Sequence, residues 1–431
     1  MTPYPEYIAT SLPWLPQIPA HWDWLMLSQL TEEQCVKNIG CLENNVLSLS
    51  YGNIVRKKNI YSGLSPQDFA TYQIVYQDNI ILRLTDLQND HRSLRTGLVK
   101  EKGIITSAYT CLKVHSNASF VHYLLHAYDL RKVFYGMGGG VRQSIGFKDI
   151  RSLRFPVAPV AEQEQIVRYL DSMTAKINKL IRAKKKICDL IFEEILLLAN
   201  EHINNAKLPR YRLKNVIKLV GDQIIRKDET LYTPIGVLNR GRGIFHKQQL
   251  LGKDLGDSEF FNVSPGDMIF SGQFAWEGAV AILQETERGC IASHRYPLAR
   301  AINRELLKLE YLWAFFQTKY GDMLLNIHSH GAAGRNRPLN IVRLLSEAIP
   351  IPPLEEQKKI ERLFLQLKEA KELAAKYSAQ LQEYKNSLIA SVVTGQVDVR
   401  NIQVEEFDPA DLITETDDDP AEDETSEESE E

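Results

Sequence analysis

Arginine, with asparagine, glutamine or histidine beside it, recurs in glycine-bearing stretches at two places in this 431-residue chain. The first set is Arg56-Lys57-Lys58, Arg92, Arg95 and the stretch GMGGGVRQS, with Arg142 and Gln143. The second is Arg240-Gly241-Arg242, His294-Arg295 and the stretch SHGAAGRNRP, with His330, Arg335, Asn336 and Arg337. Arginine, asparagine and glutamine carry paired donors and acceptors that fit guanine and adenine edges, whereas lysine mainly meets phosphate. The neighbouring glycines let a backbone approach a ligand closely. For any one of these residues an ordinary exposed charge is the plainer alternative. The matching positions of Gly140-Val-Arg142-Gln143 and Gly334-Arg-Asn336-Arg337 add weight to the binding reading. Catalytic patterns are missing: the sequence has no GxxxxGK[ST] loop and no Asn- or Asp-Pro-Pro-Tyr tetrapeptide. His122 and His126 stand four apart on a predicted helix, but Tyr123 replaces the glutamate of HExxH, so they read as packed or surface histidines. Glu193-Glu194 reads as a solvated helix face. The pattern is that of a binder, with no catalytic residue and no metal ligand expected.

The elements that must hold these residues come in duplicate. Pro156-Val-Ala-Pro159-Val-Ala-Glu162-Gln163-Glu-Gln-Ile166 recurs as Pro350-Ile-Pro-Pro353-Leu-Glu-Glu356-Gln357-Lys-Lys-Ile360, shifted by 194 positions. Upstream, with small gaps, Ile105–Tyr109 resembles Ile291–Tyr296, Gln77-Asp78 resembles Gly266-Asp267, and VHYLLHAY (121–128) resembles EYLWAFFQ (310–317). A period near 190 residues means duplicated domains rather than a solenoid, whose repeats run about 20–50 residues. Each copy mixes short apolar runs, glycine turns and one helix, an α+β pattern.

After each proline-rich signal comes a long stretch without Pro or Gly. Apolar residues fall at 166, 170, 173, 177, 180, 187, 191 and 198, and again at 360, 364, 367, 374, 381, 388 and 392, with Lys184 and Lys371 as polar interruptions. Steps of three and four predict two helices whose seams pair as a coiled coil. Each of some 40 residues would be about 60 Å long. Glu162, Glu164, Glu355 and Glu356 suit the helix N-termini, and Gly395 suits a left-handed cap at the end of the second. Packing of each helix on its own globular part is the weaker alternative.

The net charge of −4 conceals an asymmetry. Residues 405–431 carry fifteen Asp or Glu and no Lys or Arg, so the rest sets 51 basic against 40 acidic residues, a net of +11. That sign suits a polyanionic partner. The acidic end predicts a solvated, disordered tail; a partner contact and weak competition with DNA for the basic body are the other readings. The five cysteines lack CxxC spacing and read as reduced thiols in a cytosolic protein, and neither a signal peptide nor a membrane span is expected.

PVAPVAEQEQI and PIPPLEEQKKI, each leading a long helix, and the closing YKNSLIASVVTGQVDVR (384–400) together resemble the specificity subunits of type I restriction-modification systems. The resemblance spans about residues 15–400. It implies target-recognition domains at 1–157 and 206–351 and conserved-type helices at 158–205 and 352–400 forming an antiparallel coiled coil, and it leaves the acidic tail at 401–431 outside. The two heads would each read one half of a bipartite, asymmetric double-stranded DNA target. Two modification (methyltransferase) subunits would bring S-adenosylmethionine, and restriction subunits would bring ATP and Mg, with no cofactor in this chain. A protein-binding scaffold without DNA reading, and a fragment of a fused restriction-methylation enzyme, are the alternatives.

Overall fold

The computed structural model describes residues 2–50, 52–57, 69–87, 94–137, 145–331 and 337–412. They fall into two compact units, one built from residues up to Ala183 together with those from Ala375 on, the other from Lys184–Ala374. Among the described residues the helices longer than one or two turns are α1 (Ala118–Leu130), α2 (Val160–Asn204), α3 (Leu309–Gln317), α4 (Lys319–Ile327) and α5 (Leu354–Val393).

The main sheet of the first unit uses β1 (Thr31–Gln34), β2 (Leu47–Ser50), β3 (Asn53–Arg56), β4 (Ile80–Leu82), β5 (Thr96–Leu98) and β6 (Thr110–Val114) in the order β1-β6-β4-β5-β3-β2. The second unit uses β7 (Ile217–Val220), the hairpin β8 (Ile235–Leu238) and β9 (Gly243–His246), β10 (Met268–Phe270), β11 (Val280–Ile282) and β12 (Leu298–Ala301), with sheet order β7-β12-β10-β11. The run β1-β6-β4-β5 repeats as β7-β12-β10-β11, antiparallel throughout. A three-stranded sheet likewise repeats: residues 36–37, 73–75 and 103–105 in one unit, 222–223, 260–262 and 291–293 in the other. The duplication read from sequence is therefore a duplication of topology.

The structural register differs by one residue from the alignment of Asp78 with Asp267. Asp78 (φ +68°) and Gly266 (φ +83°) take the same left-handed turn, and their N–H groups donate to Val99 and Leu283 carbonyls at 2.9 and 2.8 Å. Asp267 thus matches Asn79. Aspartate tolerates the left-handed region better than most side chains, so identity of residue type misled where backbone conformation decides.

The cores follow from the short apolar strands and the helices above them. Ile80 and Leu82 of β4 and Phe120, Leu124 and Tyr128 of α1 are all but fully buried, as are Met268 and Phe270 of β10 and Tyr311, Phe315 and Phe316 of α3. Each such side chain contributes about 1.5–3 kcal/mol. Asn117 caps α1, its side chain accepting from the Phe120 N–H at 3.0 Å.

Both long helices form, and Gly395 (φ +76°) closes α5 in the left-handed conformation expected of it. Its backbone lies so close to Pro19 that an added Cβ would stand 2.3 Å from Pro19 Cδ. The buried faces, however, are not the continuous seam. Ile166, Leu170 and Ile177 are buried with Leu388 and Val392 in the first unit, and Ile195 and Ala199 with Ile360 and Leu367 in the second. Leu180 and Ile187 are instead exposed, while Asn178 and Cys188 are buried. The reason is that these faces also cover the globular parts: Ile166 and Leu170 share a core with Phe120 and Leu124, Ile360 and Leu367 with Leu312 and Phe316. A stripe that serves a domain as well as a helix need not keep one narrow a/d line.

The EQ signature acquires a structural role. Gln163 Nε2 donates to the Ala158 carbonyl at 2.7 Å, and Gln357 Nε2 to Pro352 at 2.8 Å. Gln357, fully buried, also donates to Leu306 and accepts from the Lys308 N–H. Gln357→Ala strands these groups, and a loss of about 2–3 kcal/mol is expected in urea unfolding. Glu162 accepts from the Tyr4 hydroxyl, from Trp22 Nε1 at 3.1 Å and bonds His21 Nε2 at 2.9 Å, fixing the N-terminal segment to the start of α2.

The acidic end departs from expectation. Residues 401–412, assigned to a disordered tail, lie along α2: Gln165 Nε2 donates to the Ile402 carbonyl at 2.8 Å, Ser172 Oγ to Glu405 at 3.0 Å, and Asn178 Nδ2 to Asp411 at 3.0 Å. Ile402 and Val404 pack on the core, which is why this part does not stay in water. The remainder, 413–431, is outside the described residues.

Candidate nucleic-acid interface

In the second unit the basic loops converge on one stretch, Gly272–Gly278, of the connection between β10 and β11. The turn joining β8 to β9 carries Arg240 (φ +56°) and Arg242, both exposed. It docks through Arg240 N–H on the Glu277 carbonyl at 2.9 Å and Gly241 N–H on Gly278 at 3.1 Å. The Glu277 carboxylate also accepts from the Asn239 amide. At the other end Gly272 donates to the Arg295 carbonyl at 2.7 Å and accepts from the Leu339 N–H at 2.7 Å. A Cβ on Gly272 would stand 2.3 Å from the Arg295 oxygen, so this approach requires glycine. Between these anchors Trp276 carries the Arg337 guanidinium over its ring, 4.6 Å from the centroid. The Trp276 indole N–H donates to the Gln273 carbonyl at 3.1 Å and its own carbonyl accepts from Asn326 at 3.0 Å, which fixes the ring.

The structure thus brings Arg240, Arg242, Arg295 and Arg337 to one connection, with exposed His294 beside Arg295. Exposed His330 follows Ser329, whose β-bridge to Leu339 closes the loop that contains Arg337. Arg335 and Asn336 lie outside the described residues. Exposed arginines gathered at one connection, one of them stacked on an aromatic ring, suit phosphates and base edges. Sequence reasoning did not select Trp276 or Gly272. The signal was present, since a tryptophan in a glycine-flanked connection between two apolar strands has no core to fill.

In the first unit Arg56 and Lys57, at the end of β3, are exposed. Arg56 Nε donates to Glu101 at 2.6 Å, and the pair holds the Glu101 carboxyl below the usual range. An ion pair this exposed is worth about 0–1 kcal/mol, so a polyanion displaces it cheaply. Lys58, Arg92, Arg142 and Gln143 lie outside the described residues.

Arg95 corrects an expectation. It is fully buried. Its guanidinium donates to the carbonyls of Arg83 at 3.1 Å, Thr85 at 2.7 Å and Asp86 at 3.2 Å, and Nε donates to the Tyr135 hydroxyl at 2.9 Å. Arg83 N–H to Arg95 carbonyl matches Ser271 N–H to Ala279 carbonyl, so Arg95 occupies the place of Ala279. Where the second unit turns on glycine and tryptophan, the first ties its connection down from inside. Arg95 is a structural residue here, not a surface contact.

His122 and His126 face a cavity of about 210 Å³ in the first unit, lined also by Lys100, Tyr123, Asp171 and Lys385. Among the described residues no cluster suits a metal ion. Burial, with the charges of Lys100 and Lys385 adding, pushes His122 down to about 4 and His126 down to about 3. Both stay neutral in the fold while the unfolded chain takes up protons near pH 6.5. Stability is therefore expected to be complete above pH 6.5 and to fall as the pH drops from 6.5 toward 4, by about 1.4 kcal/mol per pH unit for each histidine. Asp171, raised by burial, acts with the opposite sign. Comparing denaturant unfolding of wild type and His126→Leu from pH 7 to 4 isolates the histidine: the variant loses part of the slope.

The type I restriction modification DNA specificity domain matches residues 97–187 and 207–383, so the chain belongs to that family. Two relatives from Methanocaldococcus jannaschii are similar over most of their length. The type I restriction enzyme specificity subunit designated MjaX is 22% identical, aligning 89% of this chain with 95% of that protein. The MjaVIII specificity subunit is 22% identical, over 77% of this chain and 82% of that one. A chain solved in work on complex assembly and conformational transition of the type I R-M system shares the fold, with a TM-score of 0.56 at 15% identity, covering 88% of this chain and 99% of that chain.

Proposed function

We propose that this chain reads DNA sequence as the specificity subunit of a type I restriction-modification system. The observation that carries the reading is the convergence of Arg240, Arg242, Arg295 and Arg337 on Gly272–Gly278, within a chain of the DNA specificity family. The alternatives of a scaffold without DNA reading and of a fused-enzyme fragment are not favoured.

In detail, the two units each read one half of a bipartite, asymmetric target, and α2 and α5 act as an antiparallel coiled coil that sets the spacing. Half-sites about one helical turn apart suit two similar readers. Methylation of an adenine and ATP-dependent cleavage belong to partner subunits, which supply S-adenosylmethionine, ATP and Mg. Exposed apolar residues on the long helices support protein partners there: Leu180, Tyr377 and Tyr384 in the first unit, Ile187, Leu190 and Leu197 in the second. Among the described residues no helix is long and apolar enough to cross a membrane, and a cytoplasmic site of action fits the substrate.

Methylome sequencing of a host carrying the neighbouring modification subunit, with and without this chain, tests the proposal. A new methylated-adenine motif of two short half-sites around a fixed gap is the expected result. An assembled complex that leaves no such motif refutes it.

A further inference from the structure

The chain continues past α5 as a strap on α2. Main-chain carbonyls of residues 399–412 accept from Gln165, Ser172 and Asn178, and the Glu405 and Asp411 carboxylates pair with Lys176 (2.9 Å) and Arg182. Leu412 lines the 210 Å³ cavity together with Gly52–Val55, Lys100 and Lys385. Arg56 and Lys57, both exposed, follow Val55 directly, and Lys100 is exposed as well.

From that point the sequence has nineteen residues, 413–431, with eleven Asp or Glu and no Lys or Arg. Nineteen residues reach up to about 60 Å when extended. A tether this short keeps its charges at an effective concentration of about a millimolar or more. In sequence a polyanion therefore follows directly on Leu412, which shares a cavity lining with Lys100 and with the strand that leads to Arg56, a residue already paired with a carboxylate, Glu101.

We propose that residues 413–431 are an intramolecular competitor of DNA, occupying the basic surface of the first unit around Arg56, Lys57 and Lys100. The inference rests on the DNA-reading function proposed above. DNA must displace the acidic segment before it neutralises these groups, so the segment weakens non-specific binding most. A correct half-site, which adds base contacts, still wins. Selectivity thereby rises at the expense of affinity.

Three full-length or near full-length proteins test this: the wild-type chain, a chain ending at Leu412 that keeps the whole strap, and a chain with the eleven acids changed to Asn or Gln. Binding to random-sequence duplex is measured from about 50 to 300 mM salt. Both altered chains are expected to bind about tenfold or more tightly at low salt, with a steeper salt dependence, and to converge with wild type at high salt. A 413–431 peptide added at millimolar concentration restores weak binding to the shortened chain. Coincident curves for all three proteins overturn the competitor while leaving DNA binding intact. No DNA binding by any of them overturns the DNA reading itself, and the competitor with it.

Discussion

Changing Arg240, Arg295 and Arg337 together to alanine is expected to lower specific DNA affinity by about two to four orders of magnitude without altering the melting of the protein. Each arginine that meets a base edge is worth about 1–3 kcal/mol. The three are exposed, and their side chains carry little of the fold: Arg240 and Arg295 hold the Gly272–Gly278 connection through backbone groups, which alanine keeps. Their shared connection makes the effects less than additive. Titration with target duplex and with random duplex separates two roles. A loss confined to the target marks base reading, and an equal loss on both marks phosphate contact. Arg337→Lys sharpens the test, because lysine keeps the charge but lacks the planar fork that lies over Trp276.

Arg95→Ala is expected to destabilise the first unit by on the order of 4 kcal/mol, read as a lower urea midpoint. The substitution leaves a cavity and removes donors from three main-chain carbonyls in a fully buried place. Arg95→Lys rescues little, since one ammonium cannot span carbonyls on residues 83, 85 and 86. Unchanged stability in Arg95→Ala with reduced DNA binding would return Arg95 to the contact surface.

These two outcomes separate what the sequence discloses from what it hides. The duplication, the α+β class and both long helices were legible because periodicity and repeated signals are local. The basic loops of the second unit were legible for the same reason, as clusters of one chemistry. What escaped depends on position in space. Arg95 and Arg242 look alike in sequence, and only the packing of Tyr135 and the carbonyls around Arg95 distinguishes them. Leu180 and Ile187 kept the helical period yet face outward, because burial on two partners broadened the covered face. The acidic stretch looked uniform, but Ile402 and Val404 give its first dozen residues apolar anchors. Trp276 belongs to no charged cluster, and its place under Arg337 depends on two segments about sixty residues apart in sequence.

The division of the chain has a consequence for its birth on the ribosome. Lys184–Ala374 is continuous, so the second unit has all its parts as soon as that stretch has emerged. The first unit lacks the C-terminal half of α5, including Leu388 and Val392, which fill its core beside Ile166 and Leu170. At about 5–20 residues per second, the roughly 230 residues from Ala183 to Leu412 take on the order of 10–50 s to synthesise. For that interval the earlier-made unit stays an open-faced intermediate while the later-made one can finish. Chaperone capture during synthesis should therefore fall on the N-terminal sequence, released once the C-terminal half of α5 has emerged.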